Sequence, residues 1–261
     1  MLNIPKNWNE VTIQQYNEIL DIKKQLENPN YDLIEYQIDL LAILCDIDVD
    51  SDDINDLSIE EVNNIINSIS FLNRLPSTKF LVDIGNGFKF KKFDNLTLGE
   101  FIDIEYFFAN DSMENFTNIL TILYRKYKFG EWGDIIFEPY DVINYETRQN
   151  EFLNIPIGYV YGVLNAYIQF RTEFMERYSL LFEPEIEEDD FEDLDPRIKQ
   201  LIAEEEAEKN ELEEKIQKKW SWENVIYNLA NKDITKVNDI TNLGLIFVFN
   251  MLSLRKELNI F

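Results

Sequence analysis

Three short stretches of this chain, "VTIQQY" (Val11–Tyr16), "LSIEEV" (Leu57–Val62) and "LTLGEF" (Leu96–Phe101), share one pattern: apolar, Ser or Thr, apolar, any residue, Gln or Glu, apolar. A hydroxyl residue three positions ahead of Gln or Glu makes a capping box, in which each side chain accepts a hydrogen bond from the other residue's backbone N–H, and the outer apolar pair staples the incoming chain to the first helical turn. Thr12, Ser58 and Thr97 are therefore expected N-caps, with Gln15, Glu61 and Glu100 completing the boxes. Helices must begin at three fixed places. The segments between the copies differ in length and character, so the pattern is read as helix grammar rather than as an internal repeat.

The segments that follow are amphipathic. Ile13, Tyr16, Ile19, Leu20 and Leu26 form one stripe, and Ile59, Val62, Ile65, Ile66, Ile69 and Leu72 form another at helical spacing. Leu33 to Leu44 reads as a more buried helix, and after Leu98 a helix with Phe101, Ile102 and Phe108 leads to another around Phe116 to Tyr124. One β element interrupts them. "KFLVDIGNGFKFKKF" alternates apolar and polar residues about Gly85-Asn86-Gly87, which predicts a hairpin at about residues 79–93. From Gly130 to Phe152 the pattern is irregular, and Pro156 then opens a long helix to about Phe182. The fold class expected is mainly α: a multi-helix core with one β-hairpin in residues 1–182, an acidic linker and charged helical arm in 183–220, and a small C-terminal helical module in 221–261.

Charge is unevenly placed along these segments. The formal net charge is −26 with 50 acids against 24 bases, and the window Glu183 to Glu214 alone holds sixteen acids against Arg197, Lys199 and Lys209. Such a molecule repels itself and is a poor ligand for DNA or anionic membranes unless one face is sharply segregated, so basic partners are favoured. A hydrophobic content of 45% rules out a wholly disordered acidic chain. The N-terminal residues do not read as a signal peptide, and the apolar run "LGLIFVFNMLSL" with its internal Asn250 is too short to span a bilayer.

With no histidine in the chain, a Ser-His-Asp triad, a Cys-His pair and a histidine-ligated zinc are all excluded. The single cysteine, Cys45, reads as a small buried hydrophobe. Asp46, Asp48, Asp50 and Asp52 are spaced like the start of an EF-hand loop, but Ser51 stands where glycine makes the sharp turn and Leu57 where the bidentate Glu belongs, so a solvated acidic turn is expected. "GNG" lacks the features of a phosphate-binding loop. "FKFKKF" and "LYRKYKF" interleave aromatics with cations as single-strand nucleic-acid platforms do, yet against the overall charge they read as hairpin and helix surface. No catalytic, cofactor-binding or metal-binding residues are assigned.

The acidic stretch "FEPEIEEDDFEDLDP" admits three overlapping readings: a cation site without fixed ligand geometry, a solvated linker, or a docking segment that orders on a partner. Under the docking reading the partner-binding residues are Glu183, Glu185, Glu187, Glu188, Asp189, Asp190, Phe191, Glu192, Asp193 and Leu194, with Trp220 and Trp222 as aromatic anchors. Core packing in the C-terminal module is the competing role for the two tryptophans.

"IPKNWNEVTIQQYNEIL", "LTLGEFIDIEYFF" after the hairpin, "NILTILYRKYKFGEW" and "WENVIYNLANKDITKVNDITN" together resemble acidic, mostly helical virion-assembly proteins of tailed bacteriophages, in particular tail-assembly-chaperone-like proteins. The resemblance implies a non-enzymatic role in the host-cell cytoplasm: holding another virion or tail protein, such as a tape-measure protein, soluble and in register, or joining the particle as a ring, connector or cargo component. No direct nucleic-acid or membrane partner and no cofactor is implied, and homo-oligomerisation stays open. Two other classes remain as rivals: an acidic DNA-mimic inhibitor of a host DNA-binding enzyme, and a carboxylate enzyme.

Overall fold

The computed structural model describes residues 2–110, 113, 115–140, 143–181 and 222–258. It is mainly α-helical with one small four-stranded antiparallel sheet. The chain forms two compact units, one of Met1–Phe93 with Ile104–Glu173 and the other of Asp94–Asp103 with Phe174–Phe261.

The first unit begins with α1 (Ile13–Gln25), whose capping box is formed as the sequence predicts: Thr12 Oγ1 accepts the Gln15 N–H at 3.2 Å and Gln15 Oε1 accepts the Thr12 N–H at 2.9 Å. Gln15 has a second task. Its Nε2 donates to the carbonyl of Ile43 at 2.9 Å, tying the start of α1 to the end of α2 (Leu33–Cys45). Helix α2 carries a box of its own, from Asp32 and Glu35, and ends at Asp46 in the left-handed conformation. The short α3 (Asp52–Asn55) leads to α4 (Ile59–Ser68), where Ser58 and Glu61 complete the second expected box. Later in the chain, α6 (Phe116–Leu123), α7 (Tyr145–Leu153) and the one-turn α8 (Ile157–Val160) complete this unit, and α5 (Leu98–Ala109) and α9 (Gly162–Arg177) contribute residues to both units.

A two-residue backbone bridge closes the unit. Thr12 pairs antiparallel with Pro156, the Ile13 N–H donating to the Ile155 carbonyl at 2.9 Å and the Ile157 N–H to the Val11 carbonyl at 2.8 Å. Val11, Ile13, Ile155 and Ile157 are all buried around it. Gly158 follows at once because a Cβ there would lie 2.9 Å from the backbone carbonyl of Trp8.

The predicted hairpin is β1 (Asp83–Gly85) and β2 (Phe88–Phe90), turning through Gly85, Asn86 and Gly87, all at positive φ. Two further strands extend it, β3 (Tyr124–Phe129) against β2 and β4 (Ile135–Phe137) against β3. This corrects the expectation of a helix surface at "YRKYKF" and an irregular segment after Gly130. The physical reason is pairing: Phe88 lies opposite Lys126 and Phe90 opposite Tyr124, and on this face Phe88, Phe90 and Tyr124 are buried with Phe152 behind them. A sheet of three or more strands with an apolar face stands where an isolated hairpin would not.

Beside the sheet lies a buried ionic cluster. Arg125 and Arg148 are almost fully enclosed, and Glu138 just after β4 serves both, accepting a bidentate pair from Arg148 (3.0 Å from Nη2 to Oε2) and receiving Arg125 on its backbone carbonyl. Burial alone would raise the Glu138 pKa, but the Arg148 hydrogen bond, the Lys126 N–H and the two guanidinium charges hold it below the usual carboxylate range.

The second unit repeats the closing device with other residues. Thr97, in a reciprocal capping box with Glu100, pairs with Gly244; the Leu98 N–H donates to the Leu243 carbonyl and the Leu245 N–H to the Leu96 carbonyl, each at 2.9 Å. The unit includes α10 (residues 222–229), α11 (Val237–Thr241) and α12 (Leu245–Glu257), and α12 sets Phe249 in an aromatic core with Phe101, Phe174 and Tyr178. Asn250, the polar residue in the late apolar run, accepts from the Tyr178 hydroxyl at 2.8 Å. No helix among the described residues is long and apolar enough to cross a membrane.

Because its folded pKa is depressed, Glu138 contributes stability above its unfolded value of about 4.3, and that contribution is lost as pH falls through the lower folded value. Glu138→Ala is expected to lower the free energy of unfolding by about 1–3 kcal/mol at neutral pH in a urea titration, since Arg148 loses its bidentate partner and keeps only Glu151, while Arg125 keeps the backbone carbonyl of residue 138. The variant should also lose part of the acid-induced fall in stability; an unchanged midpoint at both pH values would assign the cluster no stabilising role.

Candidate functional site

The first unit holds an apolar groove of about 420 Å³. One wall is α1, presenting Tyr16, Ile19 and Leu20; the second is α2, presenting Leu33, Tyr36 and Leu40; the third is the end of α4 and the turn after it, with Ile66, Ile69 and Leu72, closed by Leu75 and Pro76. The floor is well packed. Tyr16, Ile19, Leu40 and Ile69 are buried, and Trp8 stacks edge-on against both Tyr16 and Phe71 while its Nε1 donates to the Arg74 carbonyl at 3.0 Å. The lips are not: Leu33 is 62% exposed and Leu75 75%.

This arrangement departs from the sequence expectation in one respect. Helix α2 was read as a more buried helix, but its first turn exposes Leu33 and Ile34. The α4 stripe is the signal that could have found the groove: a helix with so apolar a face has no fully buried residue, so much of that face is left for something else to cover.

The helices around the groove are acidic. Residues 13–75 carry fourteen Asp and Glu against Lys23, Lys24 and Arg74, although the charged side chains that line the groove itself are Lys23 and Arg74. Glu61 is held in its charged form by hydrogen bonds from Ser58, which lower its pKa. Burial raises the Tyr36 hydroxyl, and burial together with Tyr161 raises that of Tyr16, so the groove itself presents neutral phenols.

The sheet of the same unit has the opposite character. Over residues 79–92 and 124–137 seven Lys and Arg stand against three carboxylates. Lys89 lies over the Tyr127 ring at 5.2 Å and Lys126 pairs with Glu151 at 2.8 Å. Beyond them the β3–β4 turn carries a second apolar exposure, with Phe129 66% and Trp132 93% exposed and Lys128 between Tyr127 and Phe129 also exposed.

Of the residues selected from sequence, Glu183, Glu185, Glu187, Glu188, Asp189, Asp190, Phe191, Glu192, Asp193, Leu194 and Trp220 lie outside the described residues. Trp222 is half-buried in the second unit, edge-on to Phe101 at 5.6 Å and near Phe249. The aspartates after α2 serve the turn: Asp46 caps the helix and Asp48 accepts the Asp50 N–H at 2.9 Å. Among the described residues no group of three or more Cys, Asp or Glu is placed to hold a metal ion. No family model, curated protein or solved structure matches the chain.

Because the lips stand in solvent and the floor does not, substitutions in the two places should behave differently. Leu33→Asp and Leu75→Asp are expected to change unfolding stability by no more than about 0.5 kcal/mol, and Ile19→Ala to cost about 2–5 kcal/mol, by chemical denaturation. Equal large losses at both places would mean that the lips are structural.

Proposed function

We propose that this chain is a non-enzymatic virion-assembly protein of the tail-assembly-chaperone type, acting in the host-cell cytoplasm by binding other virion or tail proteins. The observation that carries the reading is the open, largely apolar groove of the first unit. A surface of that kind fits a segment with apolar anchors, which supply residence time, while the net negative charge of the surrounding helices acts on the rate of encounter. Exposed ion pairs each contribute only about 0–1 kcal/mol, so affinity resides in what fills the groove.

A second reading, a ring or connector component of the particle, is favoured by the contrast between acidic helices and basic sheet within one unit. Such a body carries two unlike faces, which suits heterologous contacts between copies.

The test is co-expression of the tagged full-length chain with the virion genes that flank its own, followed by purification and mass spectrometry. The wild type is expected to retain a specific virion protein, and Leu33→Asp to weaken that retention by at least about tenfold at unchanged helix content. Equal retention by both proteins would remove the groove from the function.

A further inference from the structure

We propose that the charged arm of residues 197–219 docks in cis on α12, covering the apolar seam that this helix turns to solvent. The proposal concerns the second unit alone and does not depend on the groove of the first.

Helix α12 is apolar on two sides. Leu245, Val248 and Phe249 are buried in the unit, whereas Phe247, Met251, Leu254 and, at the helix end, Leu258 are each between 39% and 57% exposed. Spacings of four, three and four residues set these four side chains in one line along the helix, over about 16 Å. That is the pattern of a seam that packs against a second helix.

The chain itself supplies the nearest candidate. Residues 182–221 lie outside the described structure, and both flanks of that stretch are anchored on α12. On one flank Tyr178 packs on Phe249 at 5.2 Å and the turn Ser179–Leu181 lies against the helix; on the other, Trp222 stands 6.2 Å from Phe249. The seam faces away from Phe249, so the arm must pass round a helix about 10–12 Å across, which about four extended residues span. Ile216 stands six residues before Trp222, within that reach. Along the arm Ile198, Leu201, Ile202, Leu212 and Ile216 recur at helical spacing and fall on one face, the apolar face that the seam lacks a partner for among the described residues.

Charge does not oppose the contact. Residues 197–219 hold seven acids against six bases, and α12 one acid against two bases, so the acidity of Glu183–Asp195 stays outside it. A second copy is the weaker occupant. Four side chains in a line bury on the order of a few hundred Å² per partner, short of the roughly 1,200–2,000 Å² in total that a stable interface between separate molecules removes from water. A segment tethered at both ends needs no such area, because its effective concentration is on the order of millimolar.

The test uses the full-length chain and reads the seam through Met251, whose thioether is oxidised by hydrogen peroxide at a rate that follows its exposure. Ile216→Asp, in the arm, is expected to raise the Met251 oxidation rate about tenfold over the wild type by mass spectrometry, with both rates unchanged on dilution. Reciprocally, Leu254→Asp should speed amide exchange of residues 209–219 about tenfold and leave that of residues 98–103, which pack on the other side of α12 through Phe101 and Phe249, as it was. Equal Met251 rates in the wild type and Ile216→Asp overturn the proposal. So does Leu254→Asp with both sets of amides unchanged, and so does wild-type protection that disappears on dilution, which would make a second copy the occupant. Should Leu254→Asp disturb residues 98–103, the oxidation comparison, in which α12 keeps its own sequence, decides alone.

Discussion

Both compact units hang on the same small object, a pair of backbone hydrogen bonds laid across two helix starts. In one, Val11 to Ile13 meets Ile155 to Ile157; in the other, Leu96 to Leu98 meets Leu243 to Leu245. The first N–H groups of a helix have no partner inside it, and burying them unmet would cost about as much as a lost hydrogen bond for each. Here the capping box answers some of them and the bridge answers others, so apolar residues on either side can be withdrawn from water completely. Val11, Ile13, Ile157, Leu96, Leu98 and Leu245 have no exposed surface at all. Polar satisfaction at the bridge is what permits that burial.

How far the sequence foretold this can be followed residue by residue. The boxes at Thr12, Ser58 and Thr97 were legible because a capping box is a local object, fixed by residues three apart, and the Gly85-Asn86-Gly87 turn was legible for the same reason. Strands β3 and β4 were not. "YRKYKF" follows an apolar helix without a break, and only its pairing with β2, more than thirty residues earlier, makes it extended. The bridges were invisible for a stronger form of that reason, since nothing in "NIPIG" or "NLGLI" names a partner so far upstream. The groove was half legible: the α4 stripe announced an apolar face, but whether a neighbour covers such a face is decided by tertiary placement. The acidic window that dominates the charge pattern belongs to residues outside the described structure.

Within the first unit, charges are used in two distinct ways. Glu138 with Arg125 and Arg148 is an enclosed set whose members answer one another, and it fixes the segment after β4 against the sheet. The carboxylates of residues 13–75 are for the most part helix caps and surface groups, and they give their side of the unit a field without locking any one geometry. The enclosed set concerns stability and specificity of fold, whereas the surface set concerns what approaches the unit and in which orientation.

The two bridges span nearly equal intervals of chain, and those intervals have a meaning for synthesis. A polypeptide leaves the ribosome from its N-terminus at about 5–20 residues per second. Residues 11–13 therefore wait for 155–157 to emerge, and 96–98 wait for 243–245. The first bridge can close well before the second, whose later half is still to be made when 155–157 appear. A nascent chain of this protein thus carries its unclosed helix start at 96–98 until 243–245 have been made, with the local cap that the sequence writes beside it as its first protection.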